Sequence, residues 1–458
     1  MTRTAVVGAG VVGLLTAWQL RLNGHAVTVI DPEPGRDASY AAAGMLAPIS
    51  EVQYGQEKLW PMMTAARAEY PGFLARLERA AGMPAGYREN GTVLLAADRS
   101  DRDAVADLVS VQRAYGMEVE PLTTMALRRR EPALAPGLAK GWDVPSDHQV
   151  DPRALVRCAI AALNAELGGA DGGQNASPSA GPAYPGATED EFVGAGPPVD
   201  WVTARATRTE RAESGRTTLE WAPCPGASAG TPPPNAACGA AAEDAGTRPL
   251  DTVQKGGESP ASPRSAEFDA VVLAAGMGHQ GIAGLPQQAP LQLRPVHGDV
   301  LRLRVRPDQL LDSGEHLLEA TVRAVVRGRS VYLVPRGPES TEGAGGLVVG
   351  ASSREDGMAG TRAGSVQELL DDAVAVLPAV KDMELVEITT RARPGTPDER
   401  PFLGALPEDP GVVVSTGYSR HGILLAPLAA RLGAALAAGE ALGAEDRGML
   451  EHMSLRRH

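Results

Sequence analysis

Cysteine is scarce. The 458 residues contain three, Cys158, Cys224 and Cys238, too few for a disulfide framework and wrongly spaced for a CxxC metal site. No metal is expected, and the chain reads as an intracellular, cytoplasmic protein. Lysine is limited to Lys58, Lys140, Lys255 and Lys381. The 43 basic residues are outnumbered by 56 acidic ones, for a net charge of −13. An acidic chain repels phosphate backbones, which argues against a nucleic-acid partner. Long apolar runs are also missing. No span reaches the roughly 18 uninterrupted apolar residues of a membrane helix; the nearest, Gly422–Gly439, is broken by Pro427 and Arg431. Thr4–Ala17 behind Arg3 has the look of a signal-peptide core, but its glycines and its continuation into a helical pattern read better as folded structure.

Glycine and proline are plentiful, at 53 and 37 residues. Together they approach about 20% of the chain against a usual roughly 12%, which predicts long loops. At about 100–200 residues per domain the length predicts two domains, with three as the alternative. Thr4–Val7, Val11–Leu22 and Ala26–Ile30 read as strand, helix, strand. Residues 61–82 and 102–116 carry helical spacing, and Thr92–Ala96 reads as a strand. Pro152–Leu167 reads as a helix with Asp151 as N-cap and proline at its first position. Gly168–Val199 and Pro223–Ser265 lack the apolar density to offset ordering entropy, and are expected to be disordered insertions. Between them Trp201–Arg211 and Arg216–Trp221 form a hairpin pattern turning at Glu213-Ser214-Gly215. Ala270–Ala274 and Val412–Ser415 read as buried strands, Val366–Leu377 and Ala426–Ala438 as helices, and the alternation over 300–350 predicts an antiparallel sheet in the second domain.

Gly8-Ala9-Gly10-Val11-Val12-Gly13 lies between a strand and a helix, with Asp31 at the end of the next strand. Gly8 permits a tight turn, Gly10 lets backbone approach a pyrophosphate, and Gly13 lets helix and strand pack closely. The helix N-terminus offers free N–H groups and partial positive charge to phosphate, and Asp31 is placed to bind ribose hydroxyls. The motif predicts a dinucleotide but does not separate FAD from NAD. The small-residue run from Ala38 to Leu46 fits either a buried helix start or backbone pressed against a flat ring. Arg393-Pro394-Gly395-Thr396 presents an arginine at a rigid turn, suited to a carboxylate fork or to a surface ion pair. Gly417–Pro427 brackets a further helix entry.

In this order the motifs resemble the D-amino-acid oxidase and glycine oxidase family of flavoproteins. The matching landmarks include Gly8–Gly13, Ala41–Met45, Asn90-Gly91-Thr92, Gln149–Pro152, Arg294–Gly298, Tyr332–Arg336, Val348–Ala351, Arg393–Thr396 and Arg420–Pro427. The resemblance implies an α/β plus α+β architecture: a Rossmann-type FAD-binding domain (1–85, 146–290 and 395–458) and an antiparallel-sheet substrate domain (86–145 and 291–394). It implies non-covalent FAD, since no cysteine follows Cys238 and the Arg36–Gly44 loop has no histidine. Gly8, Gly10, Val11, Val12 and Gly13 would hold the pyrophosphate, and Asp31 with Pro32 the ribose. Ala38, Ser39, Ala43, Gly44 and Met45 would line the inner phosphate and ring, and Ala206 would meet the adenine. Tyr418, Ser419, Arg420, His421, Gly422, Ile423 and Leu424 would wrap the isoalloxazine. Arg393 would clamp the substrate carboxylate, assisted by Tyr332 and Arg420. His297, where relatives often carry a basic residue, has an alternative reading as a packing histidine.

The implied activity is oxidative deamination of glycine, other small amines or D-amino acids by O2, without an essential acid–base residue. Within the family the closest pattern is that of the glycine oxidases of thiamine biosynthesis, whose glycine imine supplies the thiazole. Sarcosine or D-amino-acid oxidation, a dehydrogenase, and a non-catalytic flavin scaffold are the alternatives. The implied partners are a small amino acid and O2, with a homotetramer as assembly and no membrane or nucleic acid.

Overall fold

The computed structural model describes residues 1–167, 192–224, 263–285, 291–306, 317–337, 340, 343 and 345–457. Four short β-branched strands, Arg3–Val7, Ala26–Ile30, Ala270–Leu273 and Val412–Thr416, build the centre of a six-stranded sheet. Its order is 402–405, 412–416, 270–273, 3–7, 26–30, 200–202. All pairs are parallel except the edge strand Phe402–Ala405. Strands buried on both faces need apolar side chains throughout, and Ala5, Val6, Val271, Val272, Val413 and Val414 are fully enclosed. The helices Val11–Leu22, Trp60–Ala81, Pro152–Asn164 and Gly422–Ala438 cover one face around Leu14, Trp18, Tyr70, Leu155 and Leu428. Asp151 caps its helix as expected, accepting N–H bonds from Arg153 and Ala154 at 2.9 and 3.3 Å. The apolar segment Ser419–Ala438 is long enough to cross a membrane by composition alone, but most of it is buried in this core.

The other face carries a three-stranded sheet, Ala204–Arg211, Thr217–Pro223 and Arg264–Phe268. The hairpin therefore exists with shifted limits. Trp201 sits in a separate strand, Asp200–Val202, on the edge of the parallel sheet. The expected insertions fall mainly outside the described residues, at 168–191 and 225–262. Their margins are structured, in contrast to the expectation. Phe192 packs edge-on against Trp18 at 6.1 Å, the Gly196 carbonyl accepts a bond from buried Arg21 Nε at 3.0 Å, and Arg264 and Ser265 begin the third strand.

An eight-stranded sheet forms the second layer system, in the order 384–395, 294–304, 346–350, 329–335, 321–326, 92–96, 140–144, 120–122. It is antiparallel except at one seam, where Thr321–Val326 runs parallel to Thr92–Ala96. These strands come from segments far apart in sequence, so no tight turn forces them antiparallel. Leu301, Val322, Leu333 and Val349 pack beneath the helix Ala363–Val376.

Candidate active site

The Gly-rich turn is built by steric exclusion. Gly8 adopts φ +98°, and a Cβ there would lie 2.5 Å from the Ala274 carbonyl oxygen. A Cβ at Gly13 would lie 1.9 Å from the Gly8 oxygen, so Gly13 serves helix-to-turn packing and does not itself line the cavity. The helix that follows leaves its first amides without intrahelical acceptors. One of them, Val11 N–H, donates to Ser39 Oγ at 3.0 Å. Asp31 accepts from the Ala9 and Glu33 amides at 2.6 and 2.7 Å, one on each carboxylate oxygen. Burial raises its pKa while those two N–H groups oppose the rise. Each oxygen retains a further lone pair for a hydroxyl donor.

The Ala38–Met45 run is a short helix, Ala38–Ala41, leading into an extended segment. Arginines hold its carbonyls from behind. Arg302 Nη2 donates to the Tyr40 oxygen at 3.0 Å, Arg153 Nε to the same oxygen at 3.2 Å, and Arg336 Nη2 to the Ala43 oxygen at 2.7 Å. The Arg153 guanidinium also stacks 3.6 Å from the Tyr40 ring centre. Gly44, at φ +79°, is pressed so close to the Val150 oxygen that a Cβ would stand 2.0 Å away. The segment thus presents small side chains and backbone to the cavity.

That cavity has a volume of about 800 Å³, within the roughly 300–1,000 Å³ usual for cofactor sites. Its lining joins Gly8, Gly10, Val11, Val12, Asp31, Pro32, Ala38, Ser39, Ala43, Gly44, Met45 and Ala206 to Tyr332, Arg393, Tyr418, Ser419, Arg420, Gly422 and Ile423. Of the sequence-predicted residues, Gly13, His421 and Leu424 lie behind this wall. His297 is buried off the cavity, paired through its backbone with Arg354.

Side chains converge at the end nearest the eight-stranded sheet. Tyr332 stands in register between Arg323 on one neighbouring strand and Gly350 on the other. A Cβ at Gly350 would lie 2.4 Å from the Tyr332 hydroxyl. Arg393 lies over Gly298 in the same way, with Nη2 2.4 Å from a Cβ built there. Its Nη1 donates to the Ser352 carbonyl at 3.3 Å, and no other hydrogen bond of its fork is found among the described residues. Ser352 Oγ in turn donates to buried Asp299 at 2.6 Å, as does Thr390 Oγ1. Burial alone would raise the Asp299 pKa, but bonds from Ser352, Thr390 and Arg354 hold it below the usual carboxylate value.

Arg420 enters from the turn Ser419–His421. Burial lowers its pKa against the opposing pull of Glu51, and its Nε is enclosed with no partner among the described residues. His421 is fully buried and pushed down to about 4 by burial, so its ring is neutral at pH 7. Among the lining residues that escaped sequence reasoning are Glu51 and Arg323. Glu51 sits in a loop without periodicity, and Arg323 looks like the solvent face of an alternating strand until the sheet is assembled.

The fit to a flavin dinucleotide rests on this cradle: a helix N-terminus facing a glycine turn that a methyl group would fill, a ribose-competent carboxylate, and a wall of backbone and small residues. Comparison with known proteins agrees. The family model described as DAO, FAD dependent oxidoreductase, matches residues 3–170 and 236–436. The bifunctional protein ThiO/ThiG of Nostoc sp. is 28% identical over 437 residues, covering 94% of this chain and 52% of the relative, so the chain spans about half the length of that protein. The glycine oxidase of Geobacillus kaustophilus is 28% identical over 429 residues, covering 93% and 89%. The crystal structure of glycine oxidase from the same organism superposes with TM-score 0.72 at 25% identity, covering all of both chains. The chain belongs to the DAO family of FAD-dependent oxidoreductases.

Proposed function

We propose that this oxidoreductase deaminates glycine and related small amino acids: glycine, O2 and water yield glyoxylate, ammonia and H2O2. The observation that carries this reading is Arg393, whose guanidinium is seated over Gly298 and hydrogen-bonded, among the described residues, to the Ser352 carbonyl, with Tyr332 and Arg420 lining the same cavity. A planar fork with free donors binds a carboxylate in two parallel bonds. When bound, FAD supplies a two-electron acceptor that O2 reoxidises. Gly8, Gly10, Val11, Val12, Asp31 and Ser39 would hold its phosphates and ribose, Ala206 the adenine side, and Ala43–Met45 with Tyr418, Ser419, Arg420, Gly422 and Ile423 the ring. The attachment is read as non-covalent. Arg393 and Tyr332 fix the substrate carboxylate, and through it the orientation of Cα, which supplies much of the rate. Arg393 and Arg420 place positive charge where negative charge develops. The resulting imine is released to hydrolyse, or to feed the thiazole of thiamine as the family resemblance implies. The parallel-sheet segments 1–85, 146–290 and 395–458 would form the cofactor domain, and 86–145 with 291–394 the substrate domain.

Anaerobic mixing with glycine tests the reading. The yellow protein should bleach, recover in air and yield peroxide. A flavin that stays oxidised with glycine, sarcosine and D-amino acids would overturn it in favour of a non-catalytic scaffold.

A further inference from the structure

Resting on that reading of the substrate, we propose that Glu51 binds the substrate ammonium and selects amino acids over acids that lack the amine. Around Tyr332 and Arg420 the cavity lining brings the guanidinium groups of Arg323, Arg393 and Arg420 together with the Glu51 carboxylate, while Glu399, whose charge also acts on Arg420, is not a lining residue. The other acidic lining residues, Asp31, Glu33 and Asp37, belong to the segment beyond the second parallel strand, at the ribose side. An amino acid arrives as a zwitterion. Arginines suit its carboxylate but repel its ammonium, so the cationic end needs an acceptor. Glu51 is the group with that charge.

Its surroundings leave it available. Glu51 Oε1 accepts from Arg323 Nη1 at 3.0 Å. Oε2 lies 3.9 Å from His421 Nδ1, too far for a hydrogen bond. Oε2 has no hydrogen-bond donor among the described residues. Its charge acts on both Tyr332 and Arg420, which places it within their electrostatic reach. The loop that carries it is held rigidly. Buried Asp147 accepts the Ile49 and Ser50 amides at 3.1 and 3.0 Å, and Gln112 Nε2 donates to the Ile49 oxygen at 2.9 Å. Arg323 is fixed opposite Tyr332 by strand register. A buried ion pair contributes little net stability, because desolvation offsets its attraction. Facing the cavity, with Oε2 given no donor by the described residues, this pair is arranged for a ligand.

The test uses FAD-loaded wild type, Glu51→Gln and Glu51→Asp with two probes. Acetate, which carries only the carboxylate, is titrated against the oxidised protein and read by the change in flavin absorbance. Glycine is read by KM. A charge-assisted hydrogen bond predicts a rise in glycine KM of about tenfold or more in Glu51→Gln. The acetate Kd should stay at its wild-type value or tighten, because Arg323 is no longer neutralised. Glu51→Asp should recover part of the glycine loss. An unchanged glycine KM in Glu51→Gln, or equal weakening of acetate and glycine, would overturn the role of Glu51 alone. Acetate binding to a wild-type flavin that no amine reduces would overturn the proposed function and this role together.

Discussion

Gly298 offers the sharpest test of how the site is built. A methyl group on it would stand 2.4, 2.6 and 2.7 Å from Nη2, Cζ and Nη1 of Arg393. Carbon contacts become comfortable at about 3.5 Å, so the guanidinium must retreat by roughly 1 Å. What blocks the methyl is the tip of a flexible side chain rather than backbone, so Gly298→Ala should fold and retain FAD. The loss should fall on substrate positioning. A displacement of about 1 Å costs on the order of a hundredfold in rate, or about 2.7 kcal/mol in kcat/KM. We expect Gly298→Ala to keep its flavin content and Tm, lose about that much kcat/KM for glycine in a peroxide assay, and bind acetate more weakly. Arg393→Ala should lose at least as much, and adding Gly298→Ala to it should cost little more, because the two changes remove one interaction. Wild-type kcat/KM and acetate affinity in Gly298→Ala would refute the placement of Arg393 at the substrate carboxylate.

Gly350→Ala should act similarly on Tyr332, whose hydroxyl is 2.4 Å from the added carbon; its rise in glycine KM should match that of Tyr332→Phe, and the double variant should be no worse. Arg21 is fully buried and donates to the carbonyls of Ala162, Leu163 and Gly196 at 2.7, 3.1 and 3.0 Å, and also to that of Ala165. Ala162 and Leu163 also accept from the Ala165 and Val199 amides, so Arg21→Met would take the hydrogen-bond donor from the Gly196 and Ala165 oxygens, for a loss on the order of 2–4 kcal/mol in urea unfolding with little change in kcat. His279 and His421 are pushed down to about 4 by burial. The unfolded chain takes up protons near pH 6.5 that these folded sites refuse, so stability is present above that pH and is lost as pH falls toward 4. A Tm series across this window should slope downward on acidification, and His279→Leu should flatten part of it.

The elements legible in the sequence are those whose cause is local. The turn at Gly8–Gly13, the Asp31 carboxylate that accepts the Ala9 amide and the Asp151 cap all depend on a few neighbouring residues, and the structure shows each of these local contacts. Periodicity likewise located the six longer helices to within about a turn at most ends, and passed over the shorter Thr124–Arg130 and Ala444–His452. Limits drawn from composition failed at the margins of both insertions. Phe192 and Gly196 find partners in Trp18 and Arg21, which no local pattern reveals. The parallel seam between 92–96 and 321–326 was missed because alternation reports a strand's faces, not its neighbour.

The sequence by itself determined the cofactor cradle, because a glycine's missing side chain and a helix end act over a few ångströms along one stretch of chain. Only the tertiary structure decided the proposed substrate end. Glu51 meets Arg323 across 272 residues and Arg336 holds the Ala43 carbonyl across 293. Gly298 and Gly350 are needed because Arg393 and Tyr332 lie on them. Those contacts follow from strand order and register, and a side chain's chemistry there depends on which distant group the fold sets opposite it.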